Sequence, residues 1–282
     1  YKPERDWGLF DEGEGGKLLS KLTLLPLEAW VQGRPLAMGG IAGVASWPHA
    51  RRRGGVRELM LRALREMKDA GQTISMLMPF AFEFYRKFGY EMTIERKAYT
   101  LETRHLPVHL RASGAPGRVE MEDKSSPRLP EVYEAYAAGF NGMLKRDEER
   151  WRRALDKSPF VAVYYGDSGR AEGYMLYDVK DRVMTVHERV ELTRAAADGL
   201  WAFAANHDSM IERLTRIAPL EDPLPFLVPD PRFKQEIVPY FMTRIVDLAG
   251  FAERYAFAPA AREESLRLTV SDRQALIRLQ NV

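Results

Sequence analysis

The chain has 282 residues, a formal net charge of +2 and no cysteine, with 45% apolar and 29% charged residues. That is an ordinary globular composition, long enough for about two cores. The balanced charge argues against a nucleic-acid binder that relies on bulk charge, the missing cysteines exclude a disulfide scaffold, a thiolate metal site and a cysteine nucleophile, and no apolar run is long enough to suggest a membrane span.

Residues 1–17 are polar and Gly-rich and read as irregular, with no signal-peptide pattern, so the cytoplasm is the expected location. Residues 18–31 read as a strand, Gln32-Gly33-Arg34-Pro35 as a hairpin turn and 36–46 as the antiparallel partner. Pro48 ends that run, and Arg51, Arg52, Arg53, Gly54 and Gly55 follow. A helix comes next, its apolar stripe running through Val56, Leu59, Met60, Ala63, Leu64 and Met67 to a stop at Gly71. Thr73–Met78 has the length of a strand lying beside 39–46. Pro79 then opens a short helix in which Phe80, Phe84 and Phe88 share the core-facing stripe, with Tyr85 about 100° round from it, towards a cleft. Gly89 ends the helix, and 90–101 is a further strand.

Residues 102–117 have the Pro, Gly and Ser content of a linker and mark a domain boundary. A strand (118–122) follows, then a helix carrying Leu129, Val132, Tyr133 and Tyr136 and another near 147–156. A hairpin over 159–166 and 171–179, a strand over 183–190 and a helix capped by Thr193 complete the second segment. His187 and Glu188 read as structural, and Asn206-His207-Asp208 as a turn without the spacing of a metal site. A helix over 248–256, a strand over 264–270 and a helix over 272–280 are expected at the end.

The stretch from Gly39 to Gly71 carries the chemistry. A helix start leaves backbone N–H groups without partners and adds partial positive charge; glycines let a phosphate approach, and arginines pair with it. An isolated R-R-R-G reads best as a solvated loop, but a strand before it and a helix after it turn the reading towards an anion site. It is neither a Walker loop nor a dinucleotide fingerprint. His49, just after Pro48, reads as solvated or phosphate-side, not as a general base.

The segment V-A-S-W-P-H-A-R-R-R-G-G-V-R resembles the acyl-CoA pyrophosphate loop of the GCN5-related N-acetyltransferases (GNAT), [RQ]-x-x-G-x-[GA]. Arg51 and Gly54 match, and Val56 departs from the final small residue. F-E-F-Y-R-K-F-G-Y, residues 82–90, is similar to the segment that closes such domains, and M-G-G-I-A-G-V narrows the likeness to the Eis-like (enhanced intracellular survival) branch. The resemblance implies an α/β (α+β) fold of tandem mixed-sheet GNAT-type domains. They would span 1–106, with its start missing, and a degenerate second copy over 117–240, followed by part of a sterol-carrier-like domain over 241–282. Degeneracy is read from Glu188 and Glu191, which stand where the second copy would have to hold a pyrophosphate.

The function so implied is acetyl-CoA-dependent N-acetylation of a primary amine on a small molecule or a protein lysine, by direct attack in a ternary complex. No metal and no nucleic acid take part. The main chain of Val44 and Ser46 would meet the acetyl and pantetheine end. Arg51, Arg52, Arg53, Gly54, Gly55 and Val56 would hold the pyrophosphate, and Arg57 the 3′-phosphate or merely solvent. Tyr85, alone a core aromatic, matches the tyrosine that protonates the departing thiolate. Glu28 and Trp30 could line the acceptor cleft. The resemblance gives the base role to an extreme C-terminal carboxylate and assigns it to no residue here. It implies a homo-oligomer, a hexamer; Phe226, Phe233, Tyr240 and Phe241 read as surplus aromatic surface or as core. The alternative is a non-catalytic acyl-CoA-binding or scaffold protein with a decayed fold.

Overall fold

The computed structural model describes residues 5–11, 13, 15–111, 117–259, 261–262, 265, 267 and 269–272. The expected helix over 272–280, apart from Asp272, lies outside the described residues, as do 264, 266 and 268 of the expected strand over 264–270; of its other four residues only Thr269 makes a bridge. The chain forms two compact units, residues 1–94, 140–145 and 240–282 in one, 95–139 and 146–239 in the other.

Strand β1 (Asp6–Asp11) runs antiparallel to β2 (Lys17–Val31), which corrects the irregular reading of 1–17. Trp7 and Leu9 pack on the first unit's core, but the alternation is only two residues long and is hidden among charges and glycines. Gln32 and Gly33, at φ 50° and 73°, turn β2 into β3 (Arg34–Ser46) as a two-residue hairpin whose twist suits the strands. Helix α1 (Gly55–Asp69) buries the expected stripe, with Leu61 added and Val56 only half-buried. It stops at Gly71 (φ 70°), where the Gly71 N–H donates to Lys68 (3.0 Å) and the Gln72 N–H to Met67 (2.8 Å), the paired bonds of a Schellman cap. Strand β4 (Ile74–Leu77) then runs parallel to β3.

After α2 (Phe82–Arg86), strand β5 (Glu91–Glu102) leaves the first unit. Leu106 and Leu110, inside the stretch with linker composition, are buried in the second unit's core. There follow β6 (Arg118–Glu122), α3 (Arg128–Ala137), the short β7 (Leu144–Lys145) that pairs with β2, and α4 (Glu148–Leu155). Strands β8 (Phe160–Tyr165), β9 (Ala171–Lys180) and β10 (Val183–Glu191) form an antiparallel run, and α5 (Arg194–Ala205) crosses over to β11 (Arg213–Pro219), parallel to β10. Strand β12 (Lys234–Ile245) returns to the first unit, where Met242–Ile245 pairs with β4, and α6 (Leu248–Arg254) follows. Strand β5 pairs with β11 over Arg96–Glu102. Both units thus repeat one wiring, an antiparallel run, a helical crossover to a parallel strand and an antiparallel closing strand.

Thr193 caps α5 as expected, its Oγ1 accepting the Ala196 N–H at 3.1 Å. Beside that helix lies a buried ionic network. The side chains of Arg189, Arg216 and Asp222 are each 2% exposed. Arg216 donates to Asp222 at 2.8 Å and Arg189 to Glu191 at 2.6 Å, while the two guanidinium carbons lie 4.6 and 5.7 Å from the Trp201 ring centre. Glu188 is gripped by both Arg146 nitrogens and the Tyr174 hydroxyl. Removing one partner of a buried pair strands a charge, at about 3–5 kcal/mol. Asp222→Ala should therefore lose about 3–5 kcal/mol in urea unfolding; a loss below about 1 kcal/mol would mean that the network contributes little.

Candidate functional site

The site begins where two parallel strands part. Strands β3 and β4 pair only over Met38–Ile41 and Ile74–Leu77, so the main chain of 42–46 faces away from β2 with no partner in β4. Within that free end the register against β2 slips by one residue, with Gly43 at φ 59°. Such a bulge bends a strand and re-aims the residues beyond it. Ser46 is fixed by a 2.7 Å contact between its Oγ and that of Ser20.

The loop from Pro48 to Gly54 leads into α1. Arg52 (φ 61°) and Gly54 (φ 85°) are left-handed, and Gly54 takes the N-cap position with no side-chain cap. The first N–H groups of α1 are therefore without intrahelical acceptors. Gly55 is buried against β1 and β2: an added Cβ would lie 2.7 Å from Ser20 Oγ. A cavity of about 680 Å³ opens here, lined by Val44, Ala45, Ser46, Ala50, Arg51, Arg52, Gly54, Gly55, Val56, Arg57, Phe80 and Phe84. Among the described residues, Arg51, Arg52, Arg53 and Arg57 form no ion pair, and no carboxylate lines the cavity. Exposed arginines around a helix start, with no carboxylate to neutralise them, can hold a multiply charged anion such as a pyrophosphate.

Eight of the nine residues expected to bind a cofactor, Val44, Ser46, Arg51, Arg52, Gly54, Gly55, Val56 and Arg57, meet in this cavity, and Arg53 does not line it. Ala45, Ala50, Phe80 and Phe84 line it without having been anticipated. The helix starts at Phe82, not at Pro79, so Phe80 falls off the core stripe and is 68% exposed. Tyr85 instead faces inward and is 2% exposed. It does not line the cavity; its ring lies 5.2 Å from that of Phe80 and 5.1 Å from that of Phe84, the two aromatics that do. Glu28, paired to Lys145 at 3.5 Å, and the half-buried Trp30 are on β2, outside the cavity lining. His49 is exposed, and His187 contacts Asp178 at 3.2 Å. Among the described residues no group of three or more His, Asp or Glu could hold a metal ion, and no helix is long and apolar enough to cross a membrane.

Two family models, each described as an acetyltransferase (GNAT) domain, match residues 1–93 and 142–245, together more than half of the chain. An uncharacterized N-acetyltransferase of Streptomyces griseus is 27% identical over 268 residues, covering 86% of this chain and 64% of that relative. The chain thus spans less than two-thirds of that relative's length. The N-acetyltransferase Eis of Mycobacterium tuberculosis is 26% identical over 280 residues, covering 92% of this chain and 68% of its own. Among solved structures, a GCN5-related N-acetyltransferase from Anabaena variabilis superposes with a TM-score of 0.85 at 25% identity, over 98% of this chain and 71% of that one.

Burial pushes the Tyr85 hydroxyl up from 10.0 to about 12, so it stays protonated through the neutral range. A proton bound more tightly in the folded state stabilises the fold below the unfolded value of 10. That contribution is lost as pH rises from 10 towards 12, because the unfolded chain releases the proton first. Between pH 9 and pH 11 the protein should therefore lose up to about 1.4 kcal/mol more unfolding free energy than Tyr85→Phe does. Equal losses in the two proteins, measured by urea titration at both pH values, would show that the hydroxyl titrates normally.

Proposed function

Because this chain belongs to the GCN5-related N-acetyltransferase superfamily, in its Eis-like branch, we propose that it carries acetyl from acetyl-CoA to a primary amine by direct attack in a ternary complex. The observation that supports this most is the cavity at the start of α1, where unpaired arginines, free helix N–H groups and the open backbone of β3 come together. Arg51, Arg52, Gly54, Gly55 and Val56 hold the pyrophosphate, with Arg53 at its edge, and Arg57 the 3′-phosphate. The main chain of Val44 and Ser46 meets the pantetheine arm and the acetyl group. The fit is one of chemistry: cations and N–H donors for phosphates, an apolar wall of Val44, Phe80 and Phe84 for the arm.

In this reading the neutral amine nitrogen attacks the thioester carbon and the carbonyl electrons move onto oxygen. Collapse then breaks the C–S bond, and the proton lost by nitrogen ends on the CoA sulfur. Tyr85 is the donor to that sulfur. With its pKa near 12, well above an ordinary thiol near 8.5, it gives the thiolate a hydrogen bond more readily than it yields a free proton. Phe80, exposed and outside the core, is the part of the wall that can yield to let sulfur reach it. The acceptor is an amine-bearing small molecule or a protein lysine, with Glu28 and Trp30 on its approach.

The buried networks of the second unit support its role as a degenerate copy. Only Leu192 and Thr193 stand between β10 and α5, and both Glu188 and Glu191 are engaged by arginines. The sterol-carrier-like reading of 241–282 applies to the segment after β12, since Met242–Ile245 is paired in the first unit's sheet. A cytoplasmic hexamer completes the proposal. One observation favours the alternative of acyl-CoA binding without turnover, namely that Tyr85 lies behind the cavity wall.

Reversing the charge at Arg51 and Arg52 to Glu should weaken CoA binding by several kcal/mol, each charge-assisted contact being worth about 1.5–3 kcal/mol. Calorimetric titration giving an unchanged affinity would remove the cavity from consideration. Tyr85→Phe keeps the ring and should lower kcat by roughly 10²–10⁴ with CoA affinity nearly constant. Thiol release against a panel of amines measures this, and no release from the native protein with any amine would leave the binding-only reading standing.

A further inference from the structure

Helix α2 has five residues, too few to hold itself in place, so something outside it must set where Tyr85 points. Its C-terminal turn folds back tightly. The Tyr85 carbonyl accepts the N–H of Phe88 (2.9 Å) and of Tyr90 (3.3 Å), and Gly89 is left-handed at φ 77°. The space beneath that turn is filled from β12. Arg244 Nη1 donates to the Phe88 carbonyl, and a Cβ added at Gly89 would lie 2.7 Å from the same nitrogen. Arg244 Nη2 donates to Asp272 Oδ2 at 2.6 Å, and the two side chains are only 4% and 10% exposed.

Arg244 also belongs to a line of residues paired across the first unit's sheet. Arg244 stands opposite Ser75 in the β12–β4 register, and Ser75 opposite Gly39 in the β4–β3 register. Ser75 Oγ donates to the Gly39 carbonyl at 2.7 Å, so the 2.6 Å contact with Tyr90 is one in which the Tyr90 hydroxyl donates. Gly39 lies on the strand whose far end forms the cavity wall, and Tyr90 follows the turn that Arg244 supports. A buried cation aimed at a carbonyl just past a helix end, itself neutralised by a carboxylate, is directional and costly to leave half-made.

We infer that Arg244, held by Asp272, is a positioning residue for Tyr85: it touches no reacting atom and sets the placement of α2 from beneath. This rests on the reading of Tyr85 as donor to the leaving thiolate. Asp272, which follows α6 in the chain, thereby acts on the site through its ion pair with Arg244.

The test uses the full chain with Arg244→Lys and Asp272→Asn, each alone and combined with Tyr85→Phe. Misplacement of a reacting group by about 1 Å can cost about 10²-fold, so each single variant should lower kcat by roughly 10- to 100-fold while KM for acetyl-CoA stays within about twofold. In the Tyr85→Phe background the same changes should lower kcat no further, because groups acting through one another are not additive. Amide exchange of Phe88, Gly89 and Tyr90 should speed up while that of α1 is unchanged. Equal loss of kcat with and without Tyr85, or unaltered exchange at 88–90, would overturn the inference. Asp272→Asn keeps the cation and decides the matter if Arg244→Lys does not fold. Should Tyr85→Phe retain full activity, the donor reading fails by itself. Exchange at 88–90 then still decides whether the pair sets α2, faster exchange supporting it and unaltered exchange refuting it.

Discussion

The seat of α1 on β1 and β2 governs the rest of the first unit. Gly55 makes it possible: a side chain there would meet Ser20 Oγ at 2.7 Å and Leu9 at 3.0 Å, so only a bare α-carbon lets the first turn lie against those strands. With that turn seated, the unpartnered N–H groups stand at the same cavity as the free end of β3 and the arginines of the loop. The parting of β3 and β4 after four paired residues does the rest, because a fully zipped pair would have consumed the backbone groups that line the opening. Each element is unremarkable alone; their meeting depends on one absent methyl.

The most legible parts of the sequence were those with a long period or a fixed spacing. The stripe from Leu59 to Met67, the Gly71 stop and the Gln32-Gly33 turn follow from rules about helices and hairpins that need only local information. The cavity residues were legible because glycines and arginines between a strand and a helix have few other uses. Local information failed where the partner is remote. At Phe80 to Tyr85 the helix starts three residues later than the 3.6 period suggests, which leaves Phe80 exposed ahead of it and turns Tyr85 inward. Strand β1 was too short to register against its charged neighbours. Arg244 gave no signal at all, since its meaning depends on Gly89, Ser75 and Asp272, which nothing in the spacing connects.

The two units show how one wiring can be filled in opposite ways. In the first, the strands diverge around open space and the arginines have no carboxylates facing them. In the second, the parallel pair likewise ends early, at Val186 and Arg216, but the side chains just beyond turn inward and neutralise one another over Trp201. Burial and the nearby Arg216 charge lower the affinity of the Arg189 guanidinium for its proton, while Glu191 and Asp222 hold it charged. Cations left unpaired can take an outside anion, whereas cations paired internally serve the fold around them.

The return of β12 to β4 also has a consequence for synthesis on the ribosome. All four residues of β4 are buried in the finished fold, yet the partner on one of their edges, Met242–Ile245, is made long after them, once nearly the whole second unit has emerged. Until then a short apolar strand carries an unpaired row of N–H and C=O groups, the kind of edge that recruits other chains. Closing it requires a contact between distant parts of the sequence, which is slow. The β4 edge can therefore be closed only after residue 245 has been made, however fast the earlier residues fold.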